Sequence, residues 1–421
     1  MSIAKEQEST RGAVKPIGAF PMTREARCPF DPPPTGRAAQ EAGALTRVEL
    51  SDGTTPWFIT RYAEQRSLLS DPRLSADSTR PGYPVPGSSY SNDTGGSGAE
   101  GASSGFSFIL MDDPEHARLR RMVTAPFMVK RIEAMRPGVQ KIVDDLIDDM
   151  LTADGPVDLV EAYALPMPSL VICQLLGVPY SDHDLFQSNS KILINREASV
   201  EQKRHAIGAL VQYLHGLLRT KTEHPAEDVF SDLARRVQAG DLTGDDAAMM
   251  GVLLLVAGHE TTANMIALGT LALLEHPDQL ERLRTEDDPG LLTSAVEELL
   301  RYLTITHDGR KRVATDDIEI AGEVIRAGEG VIVATDLGNR DPEAFPDPDT
   351  LDLGRDARHH VAFGFGVHQC LGQPLARMEL QVAYRTLFQR IPTLRLATTL
   401  DQVPFKHDGG VYGVYELPVT W

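Results

Sequence analysis

The spacing of apolar and polar positions predicts a helix-dominated chain with a smaller strand-rich part. From residue 243 to about 274, apolar side chains fall on nearly every face of one long helical pattern, as a helix buried through the middle of a protein requires. Thr243-Gly244-Asp245-Asp246 opens it with a capping-box-like start. Before it, residues 131–222 read as helix after helix, broken at Asp154-Gly155-Pro156, at Gly177-Val178-Pro179 and around Asn195. Residues 186–200 within this run are candidates for a mobile roof. Asp113-Pro114 predicts an earlier helix start, with Asp as N-cap and Pro at the first helical position. Two short runs, 46–50 and 57–60, flank Asp52-Gly53 and predict a β-hairpin, followed by a short helix over 61–70. Further on come a helix over 294–302 and short turn-bounded strands between 312 and 335. A strand-like run at 360–363 then leads to a helix from Pro374 to about 387, and a loop and hairpin close the chain at 406–421.

Three stretches lack such a pattern. Residues 1–20 are expected to form a flexible segment ahead of one domain over 21–421. Residues 28–36 read as an extended loop. Residues 81–106, rich in Gly, Ser, Pro and Asn, form either a linker or a lid.

Composition narrows the classes. With 42% hydrophobic and 24% charged residues, the 421-residue chain can bury a sizeable core under an ordinary polar surface. Lys and Arg total 41 against 60 Asp and Glu, a net charge of −19, which argues against nucleic acid or an anionic membrane as the main partner. Cys28, Cys173 and Cys370 are odd in number and far apart, so no disulfide framework is indicated, and a reducing, cytoplasmic setting is expected. Cys173 sits in an apolar helical run and reads as a core residue. The first ten residues are polar, and no run approaches the roughly 18 apolar residues of a membrane span. No Gly-rich dinucleotide fingerprint follows a strand, so a flavin or nicotinamide domain is not expected within the chain.

The candidate chemistry centres on Phe363-Gly364-Phe365-Gly366-Val367-His368-Gln369-Cys370-Leu371-Gly372. A cysteine placed where a helix begins meets unpaired N–H groups and a positive dipole end, both of which favour thiolate. Zinc asks for further Cys or His at close spacing, and a nucleophilic cysteine asks for a positioned base, whereas His368 lies in the turn. Haem needs one axial thiolate and an open face. The order Phe-x-x-Gly-x-x-x-Cys-x-Gly resembles the haem-thiolate signature of the cytochromes P450. The plainer reading is a buried Cys in a Gly-rich turn.

Other stretches extend the resemblance over about residues 20–421. A carboxylate inside the apolar helix, in Ala257-Gly258-His259-Glu260-Thr261-Thr262, needs a reason. Thr261 can return its hydroxyl to the carbonyl of Ala257, and Gly258 can leave a notch for a ligand. A simple packing kink is the alternative. The motif is similar to the oxygen-activating motif of P450s. Glu298-x-x-Arg301 is by spacing an ordinary surface ion pair, yet resembles the family's buried Glu-x-x-Arg lock, with Arg340 or Arg355 as third partner. His116 and Arg120 share a helix face and resemble the family's propionate contacts, while Arg118 beside them reads as solvated. Arg312 matches another propionate contact, or is a strand-edge arginine.

The resemblance implies a mainly α fold with a smaller β region, the P450 fold, holding haem b between the long central helix and the helix after the Cys loop. It implies Cys370 as the axial ligand, with His116, Arg120, Arg312, His368, Phe363, Gly364 and Ala257 around the cofactor. Thr261 and Glu260 would be catalytic, with O2 as co-substrate. Leu254, Ala257, Ile305, Val411 and Tyr412 would line the substrate pocket. The implied partners are a ferredoxin with its reductase and a hydrophobic small molecule of macrolide, polyketide, terpenoid, sterol-like or xenobiotic type. A monomer is expected, docking ferredoxin near Arg118, Arg121 and Arg377. The run from Leu255 to Met265 looks most like the actinobacterial branch. A nitric-oxide-reductase-like enzyme or a peroxygenase would be expected to depart at Glu260-Thr261, and a haem-based sensor would not need that acid-alcohol pair.

Overall fold

The computed structural model describes residues 15–84, 107–286, 288 and 290–421. The stretch expected to be a long loop, 81–106, lies outside the described residues from 85 onward, as does the start of the N-terminal segment. In chain order the elements are β1 (Pro16–Ala19), α1 (Pro34–Ala42), β2 (Leu45–Glu49), β3 (Trp57–Ile59), α2 (Tyr62–Leu69), β4 (Leu74–Ser75), α3 (Glu115–Thr124), α4 (Val129–Met150), β5 (Val157–Asp158), α5 (Pro166–Leu176), α6 (His183–Ile194), α7 (Val200–Glu223) and α8 (Val229–Ala239). There follow α9 (Gly244–Glu275), α10 (Pro277–Thr285), α11 (Leu291–Leu303), β6 (Arg310–Ala314), β7 (Ile318–Ile320), β8 (Glu323–Ile325), β9 (Gly330–Val333), α12 (Thr335–Gly338), α13 (Gln373–Arg390), β10 (Arg395–Leu396) and β11 (Pro418–Thr420).

α9 is the axis of the molecule. The Thr243 hydroxyl accepts the Asp246 N–H at its start, and Pro277 stops it by forcing His276 out of helical geometry (φ −122°, ψ 71°). It packs against α5, α7, α8, α10, α11 and α13, and one apolar core runs through these helices. Between Met250 and Leu273 the run of buried residues is broken only at Ala257, Gly258 and Thr261. By length and composition α9 could cross a membrane, but 83% of its most apolar window is buried inside the protein, the condition of a core helix.

The strands form a layer beside the helices. The larger sheet has the order β1-β2-β3-β9-β6-β4, with β2 and β3 antiparallel across the Asp52-Gly53 turn, as their sequence predicts. β6 pairs antiparallel with β9, Arg312 opposite Val331. Strand alternation therefore puts Arg310 and Arg312 on one face. β7 pairs with β8, and β10, β11 and β5 form a third sheet.

Three expectations are corrected. Residues 360–363 form turns, not a strand, because their backbone groups serve the loop instead of a neighbouring strand. The helix after Asp113-Pro114 begins at Glu115 with Pro114 in the capping position, although the Asp113 carboxylate still accepts the Ala117 N–H at 3.0 Å. The C-terminal segment is not a self-contained hairpin: Phe405 bridges Val414, and β11 pairs outward with β10 and β5.

The pair Glu298–Arg301 on α11 is wholly buried rather than a surface contact. Arg301 Nε and Nη2 reach the two carboxylate oxygens at 2.7 and 2.8 Å, and Nη1 donates to the carbonyls of Asn339 and Pro348, both at 2.8 Å. Arg355 is the third partner, 3.2 Å from Glu298 Oε1. Arg340 turns elsewhere, to Asp349 at 2.7 Å and to the Tyr302 carbonyl.

Candidate functional site

The chain from Asn339 to Gly372 winds over the N-terminal end of α13 with a single 3-10 turn, Gly366–His368. The Cys370 N–H donates to the Phe363 carbonyl at 2.9 Å, closing the loop on itself. Gly366 adopts φ 74°, and a Cβ there would stand 2.2 Å from the Leu69 carbonyl oxygen, so only glycine lets the loop sit on α2. Asn339 ties the loop to the body: its amide donates to Thr304 Oγ1 at the end of α11 (2.8 Å) and its oxygen accepts the Val361 N–H (2.7 Å). No sequence pattern marked Asn339.

Cys370 is half-buried, and the helix begins three residues after it. Burial pushes its thiol above the ordinary range, opposed by the Gly372 N–H and then by the guanidinium groups of Arg310, Arg120 and Arg377. The expected preference for thiolate from the helix end alone is therefore not met. A metal ion reverses the balance, because a coordinating thiol is deprotonated outright. Arg377 stands over the Phe363 ring at 4.7 Å and is held by Glu297 at 2.6 Å.

Basic groups gather at one edge of this loop. His116 is buried, its Nδ1 2.9 Å from Asp113 Oδ1 and its Nε2 without a partner. Its ring lies 4.1 Å from that of His368. Burial, then Arg312, His116 and Arg120, lowers His368 to about 3. Arg120 donates to the Gln369 carbonyl at 2.5 Å, and Arg312 is buried on β6. Arg310, not singled out from the sequence, joins them with a 3.3 Å contact to the Ala362 carbonyl. The Arg-x-Arg spacing on a predicted strand was the signal available for it. A buried imidazole nitrogen lacking a partner, three guanidinium groups and one sulfur fit an iron porphyrin, whose carboxylates need cations and whose metal needs a thiolate.

On α9, Leu254, Ala257 and Thr261 lie on one face by their spacing. Ala257 is exposed in mid-helix, and Thr261 Oγ1 donates to its carbonyl at 2.9 Å. Gly258 does not leave a notch: a Cβ there would be 2.6 Å from Ile172 of α5, so the glycine serves helix packing. Glu260 is only 2% exposed and its Oε1 has no hydrogen-bond partner. Ile305 is buried, and its carbonyl accepts the Tyr412 N–H at 2.8 Å. Tyr412, expected at the pocket, is fully buried beneath the Arg24 guanidinium (4.5 Å) and against the rings of His307 and Phe405. Its side chain is therefore core. Val411 lines a cleft of about 530 Å³ together with Glu260, Ala263, Lys191, Lys406 and Asp408. A further buried acid, Glu379 on α13, accepts the Thr262 hydroxyl at 3.4 Å, and burial raises its carboxyl well above the usual range.

Comparison with known proteins identifies the family. The family model described as Cytochrome P450 matches residues 227–396. Cytochrome P450 GfsF of Streptomyces halstedii is 54% identical over 96% of both chains, and its crystal structure superposes with a TM-score of 0.89 over 97% of this chain and 100% of that one. Pentalenic acid synthase of Streptomyces avermitilis is 48% identical over 96% of this chain and 97% of its own. The crystal structure of mycinamicin VIII C21 methyl hydroxylase from Micromonospora griseorubida, bound to mycinamicin VIII, is 40% identical and matches with a TM-score of 0.88 over 96% and 100% of the two chains. With such identity over almost the whole chain, and with the predicted mainly α fold observed, the protein belongs to the cytochrome P450 family of monooxygenases.

Proposed function

We propose that this P450 hydroxylates or epoxidises a hydrophobic secondary metabolite of the macrolide, polyketide or terpenoid kind, using electrons from a ferredoxin and its reductase. The observation that carries the reading is the pairing of a buried carboxylate, Glu260, with the Thr261 hydroxyl on the α9 face that also presents Ala257. The names of the relatives support the substrate class: one is a mycinamicin VIII C21 methyl hydroxylase and another is a pentalenic acid synthase.

In this reading Cys370 Sγ would ligate the iron of haem b, and His116, Arg120, Arg310, Arg312 and His368 would hold its carboxylates. Phe363 and Gly364 shape the thiolate side of the pocket. When bound, the haem supplies dioxygen activation at an iron whose thiolate ligand favours O–O cleavage. Thr261 and Glu260 hold water and pass protons toward the oxygen. Leu254, Ala257 and Ile305 present apolar surface to the substrate and exclude bulk water. One oxygen atom enters a C–H or C=C bond, the other leaves as water, and two electrons and two protons come from outside.

A gas-reducing enzyme of the nitric-oxide-reductase-like kind would lack the acid before the threonine, and Glu260 is present. The test is a hydrophobic compound library screened for a low-spin to high-spin shift, followed by turnover of each hit with ferredoxin, reductase and NAD(P)H. Hits that shift the spectrum and are never oxidised would favour a binding role.

A further inference from the structure

Arg24 lies in the irregular segment between β1 and α1, and no sequence pattern singled it out. Its side chain is nevertheless only 3% exposed. Among the described residues its side-chain donors meet carbonyl oxygens and no carboxylate. Nη1 donates to the Phe30 and Asp31 carbonyls of its own segment, and Nη2 to those of Leu303 and Thr304 at the end of α11, all at 3.3 Å. The guanidinium carbon lies over the Tyr412 ring, 4.5 Å from its centre. A buried guanidinium without a carboxylate is a costly way to fill space, so packing alone does not account for it. What only this side chain supplies is a rigid planar fork that bonds in its plane and stacks on its face at once.

The fork joins two parts of the chain that carry expected pocket residues. Thr304 ends α11 in the left-handed region, at φ 34° and ψ 78°. A β-branched residue keeps that conformation only where its surroundings impose it. Here its carbonyl accepts Arg24 Nη2, its hydroxyl donates to the Arg301 carbonyl at 2.9 Å, and that hydroxyl accepts the Asn339 amide at 2.8 Å. Ile305 is the next residue, so this turn sets where its side chain starts. On the other side, the Tyr412 N–H donates to the Ile305 carbonyl at 2.8 Å. The Tyr412 ring is held by Arg24 and by the rings of His307 and Phe405, with centres 5.3 and 5.9 Å away. Val411 precedes it and lines the cleft beside α9. Arg24 thus ties the turn carrying Ile305 to the loop carrying Val411, from 280 positions before Thr304 in the chain.

We propose that Arg24 is a positioning residue that sets the selectivity of the oxidation, by fixing the spacing between Ile305 and Val411 and hence how a substrate lies between them. The inference rests on the reading of these two side chains as pocket lining. Arg24 touches neither substrate nor oxygen in it, and the chemistry stays with α9. Lysine is no substitute: its ammonium is a single point without a planar face, so it cannot hold the Leu303 and Thr304 carbonyls and stack on Tyr412 together. Without the fork Ile305 and Val411 drift apart, while the Glu298–Arg301 pair and the Cys loop keep their own contacts.

The experiment compares the wild-type, Arg24→Lys and Arg24→Met holoenzymes with two probes, imidazole and phenylimidazole, each titrated by the Soret shift of a nitrogen ligand on the haem iron. Imidazole asks only for access to the iron, whereas phenylimidazole also needs the pocket walls. Both variants should bind phenylimidazole about tenfold more weakly, the scale of one misplaced methylene in an apolar pocket, and imidazole as the wild type does. With a substrate from the library screen, both should change the ratio of products while the reduced carbon monoxide band stays as it was. A residue of merely structural importance would lower the melting temperature and leave the ratio of the two azole affinities alone. That result, or an unchanged product ratio, would overturn the proposal. Arg24→Lys keeps the buried charge, so it carries the test where Arg24→Met yields no holoenzyme. Failure of the pocket reading appears separately, as a phenylimidazole affinity that Ile305→Ala does not move. Failure of the monooxygenase reading appears as absence of product from the wild type, while both azole affinities stay measurable.

Discussion

Arg301 holds Glu298 through two hydrogen bonds of 2.7 and 2.8 Å, with neither side chain exposed to solvent. The pair sits under the Cys loop, since Arg301 also donates to the Asn339 carbonyl and Asn339 binds Val361. Removing one partner strands a buried charge, at a cost of about 3–5 kcal/mol. Glu298→Ala and Arg301→Ala should each lower the melting temperature sharply and reduce haem content in the purified protein. Arg340→Ala should retain haem far better. Equal haem loss in all three would remove any special place for the pair.

Cys370 is the sulfur proposed for the family's thiolate ligation. Reduced protein with carbon monoxide should show the strongly red-shifted Soret band of a thiolate-ligated haem. Cys370→Ser and Cys370→His should lack it. Retention of that band in both would rule out the assignment.

Thr261 and Glu260 are proposed to serve proton delivery, not substrate binding. Thr261→Ala should consume NAD(P)H and release hydrogen peroxide in place of product. Glu260→Gln should slow turnover by roughly 10²-fold, the scale of losing one general acid. Measured coupling and rate at wild-type values in both variants would leave only a packing role for the motif.

Of the three arginines expected to meet ferredoxin, two are engaged within the protein: Arg118 forks onto Glu115, and Arg377 is held by Glu297. Arg121 is exposed. Complementary charge acts mainly on association. Arg121→Glu should raise the apparent KM for ferredoxin and leave the substrate spin shift alone, and wild-type electron transfer should slow with added salt. A rate indifferent to salt would exclude this face.

His307 gives the protein an acid sensitivity. Burial, then Arg24, lowers it to about 3, and its Nε2 lies 3.1 Å from the Gly409 carbonyl. The unfolded chain, with an ordinary histidine near 6.5, binds the proton first. Stability from this group is therefore full above about pH 6.5 and is lost as pH falls toward 3. Denaturant melts from pH 7 to 4 should show a shallower loss for His307→Gln than for the wild type. Parallel curves would mean that other groups govern the acid limb.

Local and periodic information was enough for much of this protein. The buried character of α9 follows from its apolar residues on all faces, and the Thr243 cap and Pro277 stop are set within a few residues. The Gly-rich loop around Cys370 and the i,i+4 placing of His116 and Arg120 or of Ala257 and Thr261 follow from spacing, because helix and turn geometry are short-range. Tertiary packing decided the rest. Arg355 rather than Arg340 completes the Glu298 lock, since both arginines lie in loops whose course no periodicity sets. Gly258 receives Ile172 and Tyr412 is sealed beneath Arg24 because other elements arrive there from distant parts of the chain. Arg310 meets the Cys loop through strand pairing. Lys406 and Glu260 line one cleft only when the C-terminal segment folds onto α9 across 145 intervening positions, an approach that chain entropy opposes and that the packed core alone maintains.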